Sequence, residues 1–118
     1  MNCVGPTFSE EDLASLRESY AFTPAIDELA AVLALFSHPT RMKIFALLDQ
    51  CEQMCVCDLS EVLGVSVSAV SQNLAKLRAH RVVRFRRDAQ TLYYALTDHP
   101  INAVIRTAVS DARARLGE

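Results

Sequence analysis

Apolar residues along this chain recur at two different periods, and the change between them marks its most informative stretch. Val67, Val70, Leu74 and Leu77 follow three- and four-residue steps, which predicts one apolar stripe of a helix. From Val83 the step becomes two. Val83 and Phe85 alternate with Arg84 and Arg86, and Leu92, Tyr94 and Leu96 alternate with Thr91 and Tyr93. That alternation predicts a two-stranded hairpin with Asp88-Ala89-Gln90 at its tip. Upstream, Ser9 followed by Asp12 caps a short helix through about Tyr20. Thr23 caps and Pro24 opens a second helix, whose stripe is Ile26, Leu29, Ala30, Leu33 and Phe36. Ser37-His38-Pro39-Thr40 breaks it. A third helix, from about Thr40 to Gln50, buries Ile44, Leu47 and Leu48. A short fourth starts near Cys55, ends at Gly64 and is packed by Val56, Leu59 and Leu63. The last, from about Pro100 to Leu116, carries Ile101, Val104, Ile105, Ala108, Val109, Ala112 and Leu116 on one stripe. The expected fold is mostly α with a β-hairpin wing: a winged helix-turn-helix, with a short acidic arm at 1–22 and the main domain at 23–118.

Charge turns this outline into a binding surface. The chain has a net charge of -2, yet Ser66 to Arg87 contains Lys76, Arg78, Arg81, Arg84, Arg86 and Arg87 and no acidic residue. A local basic run in an acidic protein predicts a polyanion met by one face. Opposite the apolar stripe of the Val67–Leu77 helix lie Ser68, Ser71, Gln72 and Ala75, with Lys76 beside them. Short hydrogen-bonding side chains without acid suit the edges of bases in a major groove. Ser68, Ser71 and Gln72 are therefore the candidate base contacts. Lys76, Arg78, Arg84, Arg86 and Arg87 are the candidate phosphate contacts. Arg41 and Lys43 stand near a helix start, where the dipole does not favour a cation. They are either further phosphate contacts or solvated charge.

Composition sets the class. A chain of 118 residues with 51% hydrophobic content suits one folded domain rather than a disordered one. No apolar run approaches the roughly 20 residues of a membrane span, and no secretory signal is visible. A cytoplasmic protein with no membrane partner is expected. Four cysteines in such a protein point to metal or redox chemistry rather than structural disulfides. No nucleophile–base pair, phosphate loop or paired carboxylates stand in an enzymatic arrangement, so no catalytic residues are expected.

Cys55 and Cys57 are two apart, which on a regular helix separates them by about 200°. They converge on one ion only if the helix begins at or just after them. A helix start also favours the thiolate that metals bind. Chemistry alone leaves metal or redox function balanced against inert buried thiols.

Residues 26–98 resemble the ArsR/SmtB family of winged-helix metal-sensing repressors. The motifs that carry the resemblance are Ser37-His38-Pro39-Thr40-Arg41, Cys55-Val56-Cys57-Asp58-Leu59, Leu63-Gly64-Val65-Ser66-Val67-Ser68-Ala69-Val70-Ser71 and Leu92-Tyr93-Tyr94-Ala95-Leu96. The resemblance implies a homodimer on double-stranded operator DNA, released when a thiophilic metal or metalloid binds. The Ile26–Phe36 helix and the last helix are then the two-fold apolar interface. The C-V-C-D-L motif is that of the family's cadmium/lead and arsenic branches. The arsenic branch continues with a third cysteine, where this chain has Ser60. In the cadmium/lead branch, cysteines from the other protomer's N-terminal arm complete the site, a role Cys3 fits. Cys51 stands four residues before Cys55 and is a further candidate thiolate. Cys55, Cys57, Cys51 and Cys3 thus form the expected metal set. Four thiolates suit Cd²⁺ or Zn²⁺, and three suit Pb²⁺ or As(III). The zinc branch's site on the last helix is expected to be absent, because Pro100 and Ala114 occupy ligand positions. The alternative is a redox-sensing repressor of the same fold with a cysteine disulfide switch.

Overall fold

The computed structural model describes residues 4–21 and 23–118. Its contacts divide the chain into two units, Met1–Ala31 and Val32–Glu118. The first holds α1 (Glu10–Tyr20) and the first turns of α2 (Pro24–Leu35). Ser9 caps α1 by accepting the Asp12 N–H at 3.1 Å. Glu10, Glu11 and Asp12 then lie at its positive end and Arg17 at its negative end, as the dipole favours. No residue of α1 is buried, so local interactions sustain it.

The second unit contains the end of α2, then α3 (Pro39–Cys51), β1 (Met54–Cys55), α4 (Val56–Leu63) and α5 (Val67–Ala79). The hairpin β2 (Val83–Asp88) and β3 (Thr91–Leu96) and the helix α6 (Pro100–Leu116) follow. The pattern of periods in the sequence therefore appears as helix, turn, helix and wing. The turn works because Gly64 adopts φ 67°, ψ 29° and returns its N–H to the Ser60 carbonyl. That left-handed geometry costs glycine little. The Ser60 hydroxyl donates to the Val65 carbonyl across the same turn, and Ser66 caps α5 by accepting the Ala69 N–H at 3.0 Å.

The core joins these elements at one centre. Ile44, Phe45 and Leu48 of α3, Leu59 of α4, and Val70, Leu74 and Leu77 of α5 are buried together with Val82, Val83, Ile101 and Ile105. Phe45 stands edge-on to Phe36, ring centroids 5.6 Å apart. Phe45 was not among the expected core residues, because its neighbours already complete a plausible stripe. Among the described residues Asn102 is the one buried polar residue, at 2% exposure. Its amide donates to the carbonyls of Val82 and Thr97, both at 3.0 Å, and so binds α6 to the base of the wing.

The structure adds one strand to the expected hairpin and shows which stripe residues a single chain leaves open. The sheet has three strands, ordered β1-β3-β2, where the sequence showed two. A two-residue strand is too short to leave a period. Val67 is 47% exposed because it is the first residue of α5 and overhangs the stripe that Val70, Leu74 and Leu77 bury. On α2, the buried residues are Val32 and Leu35 rather than Leu33, which is 42% exposed. Likewise α6 buries Ile101, Asn102 and Ile105 but leaves Val104 and Leu116 open.

Candidate nucleic-acid interface and thiol cleft

Helix α5 has two unlike sides. Val70, Leu74 and Leu77 are fully buried, which fixes its rotation. That rotation leaves Ser68, Ser71, Gln72, Ala75 and Lys76 exposed together. From Ser68 to Lys76 the face runs about 12 Å at 1.5 Å per residue. Asn73 lies on the shoulder, its Nδ2 donating to the Ala69 carbonyl at 2.9 Å.

The wing continues the basic surface. In its register Arg84 faces Ala95, Arg86 faces Tyr93 and Arg87 faces Leu92. The Arg86 guanidinium lies 4.7 Å from the Tyr93 ring centroid, and its Nε donates to Gln53 Oε1 at 3.1 Å. The Arg78 guanidinium lies 4.1 Å from the ring of Phe85, which itself packs on Tyr94 at 5.7 Å. These contacts aim two cations without neutralising them. Among the described residues the ion pairs are Arg106–Asp49, Arg113–Glu118 and Arg115–Asp111. None involves Lys76, Arg78, Arg84, Arg86 or Arg87, so their charge stays available to a polyanion.

Arg41 departs from both sequence alternatives. Its Nε donates to the Leu35 carbonyl at 2.6 Å and its Nη1 to Asn73 Oδ1 at 3.1 Å. It is half-buried and turned inward, whereas Lys43 is exposed. Sequence reasoning missed this role, although the cation at a helix start was its signal.

The cysteines are placed unequally. Cys55 is the last residue of β1 and the N-cap of α4, in extended geometry, with its side chain making no capping bond. It pairs with Tyr93 of β3, so it belongs to the same sheet as the wing. Cys57 is exposed in the first turn of α4. Both line a cleft of about 410 Å³ with Val56 and the wing-tip residues Gln90, Thr91 and Leu92. Cys51 ends α3, is exposed and does not line this cleft. Cys3 lies outside the described residues. Among the described residues no three of His, Cys, Asp and Glu gather as a metal cage. The cleft therefore holds two thiols, Cys55 and Cys57, and no complete ligand set among the described residues.

Two of the three histidines, His38 and His99, are engaged elsewhere. His38 Nδ1 accepts the Thr40 N–H at 3.2 Å and His99 Nδ1 accepts the Ile101 N–H at 3.0 Å. Each is a helix cap. Asp111, near the C-terminus of α6, pairs with Arg115 at 2.6 Å.

The family model described as "Bacterial regulatory protein, arsR family" matches residues 38–84. The HTH-type transcriptional regulator YgaV of Escherichia coli (strain K12) is 35% identical over 81 residues, 69% of this chain and 82% of the relative. A cadmium resistance transcriptional regulatory protein CadC homolog of Staphylococcus aureus is 27% identical over 81 residues, 69% of this chain and 67% of the relative. The crystal structure of NolR from Sinorhizobium fredii is similar at a TM-score of 0.68 and 32% identity, covering 92% of this chain and 96% of that one.

Proposed function

The chain belongs to the arsR family of bacterial regulatory proteins, and from that premise we propose a cytoplasmic homodimeric repressor that leaves operator DNA when its cysteines bind a thiophilic metal or metalloid. The α5 face presents Ser68, Ser71 and Gln72 to base edges. Lys76, Arg78, Arg84, Arg86 and Arg87 hold phosphate. A second copy covers the apolar groove of α3 and α6 lined by Met42, Ile105, Ala108, Val109, Ala112 and Leu116. Two copies supply the paired recognition helices that a palindromic site requires.

The observation that carries the sensing role is the position of the thiols. Cys55 and Cys57 share a cleft with the wing tip, and Cys55 pairs with Tyr93 in the sheet that carries the wing arginines. The donor set is completed by Cys51 or by Cys3 of the partner subunit. When bound, the ion supplies strong soft coordination to thiolate, with Cd²⁺, Pb²⁺, Zn²⁺ and As(III) as the candidates. Cys55 and Cys57 would hold the ion, and a shift of either would be felt at the start of α4 and, through the β1–β3 ladder, at the wing. A coupling of about 1–3 kcal/mol gives roughly 5–150-fold release.

The test is an anaerobic titration of the reduced dimer with each ion, followed by thiolate-to-metal absorption and by operator binding. Absorption that disappears in Cys55→Ser, with operator affinity intact and no longer metal-sensitive, is expected. Absence of a thiolate band with every ion would remove metal sensing. Release by peroxide alone would instead establish the disulfide switch.

A further inference from the structure

On its own helix Arg41 looks misplaced, since a cation two residues into α3 opposes the dipole. Its surroundings resolve the conflict. Helix α2 ends at Leu35, whose carbonyl is one of the acceptors left without an intrahelical donor. The Arg41 Nε takes that carbonyl at 2.6 Å. Its cation therefore sits at the C-terminus of α2, where the dipole favours it. The other end of the planar fork reaches Asn73 on α5 at 3.1 Å. Asn73 cannot turn away freely, because its amide nitrogen is held by the Ala69 carbonyl one turn earlier. One half-buried guanidinium thus ties the end of one helix to the shoulder of another. Asn73 directly follows Gln72 and lies two residues from Ser71, which places the tie beside the exposed polar face.

We propose that Arg41 is a positioning residue for DNA recognition, fixing through Asn73 the rotation and depth at which α5 presents Ser68, Ser71 and Gln72. This takes α5 as the DNA-reading helix and so stands on the function proposed above. Arg41 does not touch DNA in this scheme. Lysine cannot replace it, because a single ammonium lacks the rigid fork that spans both acceptors.

Arg41→Lys keeps the charge, and Asn73→Ala breaks only the reach to α5 while leaving the Leu35 bond in place. Operator and non-specific duplex binding are measured for both variants and for the double variant across a salt series. The clamp predicts about a tenfold loss of operator affinity in each single variant, the usual scale for one charge-assisted hydrogen bond. Non-specific affinity and the salt slope stay at the wild-type value. The double variant loses no more than the weaker single, because both break one link. Full rescue by lysine, additive losses, or an equal fall on both duplexes with a salt slope reduced by about one per protomer would overturn the clamp and make Arg41 a phosphate contact.

Hydrogen exchange on the free protein separates this proposal from the function beneath it. Faster exchange of α5 amides than of α4 amides in both variants supports the clamp even if the wild-type protein binds no operator, an outcome that would sink the DNA-reading role alone. Unchanged α5 exchange overturns the clamp.

Discussion

Salt dependence gives the most quantitative check on the basic surface. Five cations per protomer are assigned to phosphate: Lys76, Arg78, Arg84, Arg86 and Arg87. All five are exposed and none is in an ion pair among the described residues. A dimer that engages all of them neutralises about ten phosphates, so log K should fall against log[salt] with a slope of roughly −9. Arg87→Gln removes two of those contacts per dimer and should flatten the slope by about 1.8. Because Arg87 carries no base contact in this scheme, operator and non-specific duplexes should weaken alike. Gln72→Ala should do the reverse. It leaves the slope at its wild-type value and lowers the preference for operator by about 1–3 kcal/mol, the worth of a good base contact. Fluorescence anisotropy of a labelled duplex over a salt series measures both quantities. A wild-type slope near −2, or an Arg87→Gln variant with unchanged slope, would refute the assignment of the wing to phosphate.

Other perturbations test the scaffold. Ser60→Cys removes the hydroxyl that donates to the Val65 carbonyl, and should cost about 1 kcal/mol in denaturant unfolding. It also places a thiol one helical turn from Cys57, so arsenite should bind more tightly by absorption titration. Asn102→Asp puts an acceptor against the Val82 and Thr97 carbonyls at a site 2% exposed, and should cost about 3 kcal/mol or more, read as a lower urea midpoint. Ala89, at the wing tip, has φ 57°, so Ala89→Gly should stabilise by up to about 1 kcal/mol in thermal unfolding.

Much of this molecule was legible because its elements obey simple periods. The stripe of α5, the alternation of β2 and β3, the cap Ser9 and the helix end at Gly64 each appear where local rules place them. Those rules fail where partners are distant in sequence. Strand β1 is two residues long and owes its existence to Tyr93 and Tyr94, about forty residues on. Arg41 meets Asn73 across thirty-two residues, and Gln53 meets Arg86 across thirty-three. No period or motif encodes such pairs. On α2 and α6 the apolar stripes are wider than one chain covers. Leu33, Val104 and Leu116 stay open in the single chain while Val32, Leu35, Ile101 and Ile105 fill its core.

The candidate thiol site shows the same division. The spacing of Cys55 and Cys57 predicted that they could share an ion only at a helix start. Cys55 is indeed the N-cap of α4 and Cys57 lies in its first turn. What spacing could not convey is that Cys55 is also a strand residue. In a regular helix it would communicate with α4 and, through the Gly64 turn, with α5. As the partner of Tyr93 it lies one strand away from Arg86, which stacks on that same ring and bonds to Gln53, two residues before Cys55. In the proposed mechanism, a shift at Cys55 would pass both by the backbone ladder to β3 and by Gln53 to Arg86. The Arg86 charge assigned to phosphate is thus tied, through Tyr93 and through Gln53, to the neighbourhood of the thiol. Under the proposed function, release would require no unfolding of α5, whose buried face is fixed by Val70, Leu74 and Leu77. In the proposed dimer, a small displacement of β1 would misalign the wing arginines of both protomers. Because each misplaced phosphate contact weakens binding and the losses occur on two wings, a modest movement per protomer is enough for the roughly 5–150-fold release expected of a typical allosteric coupling.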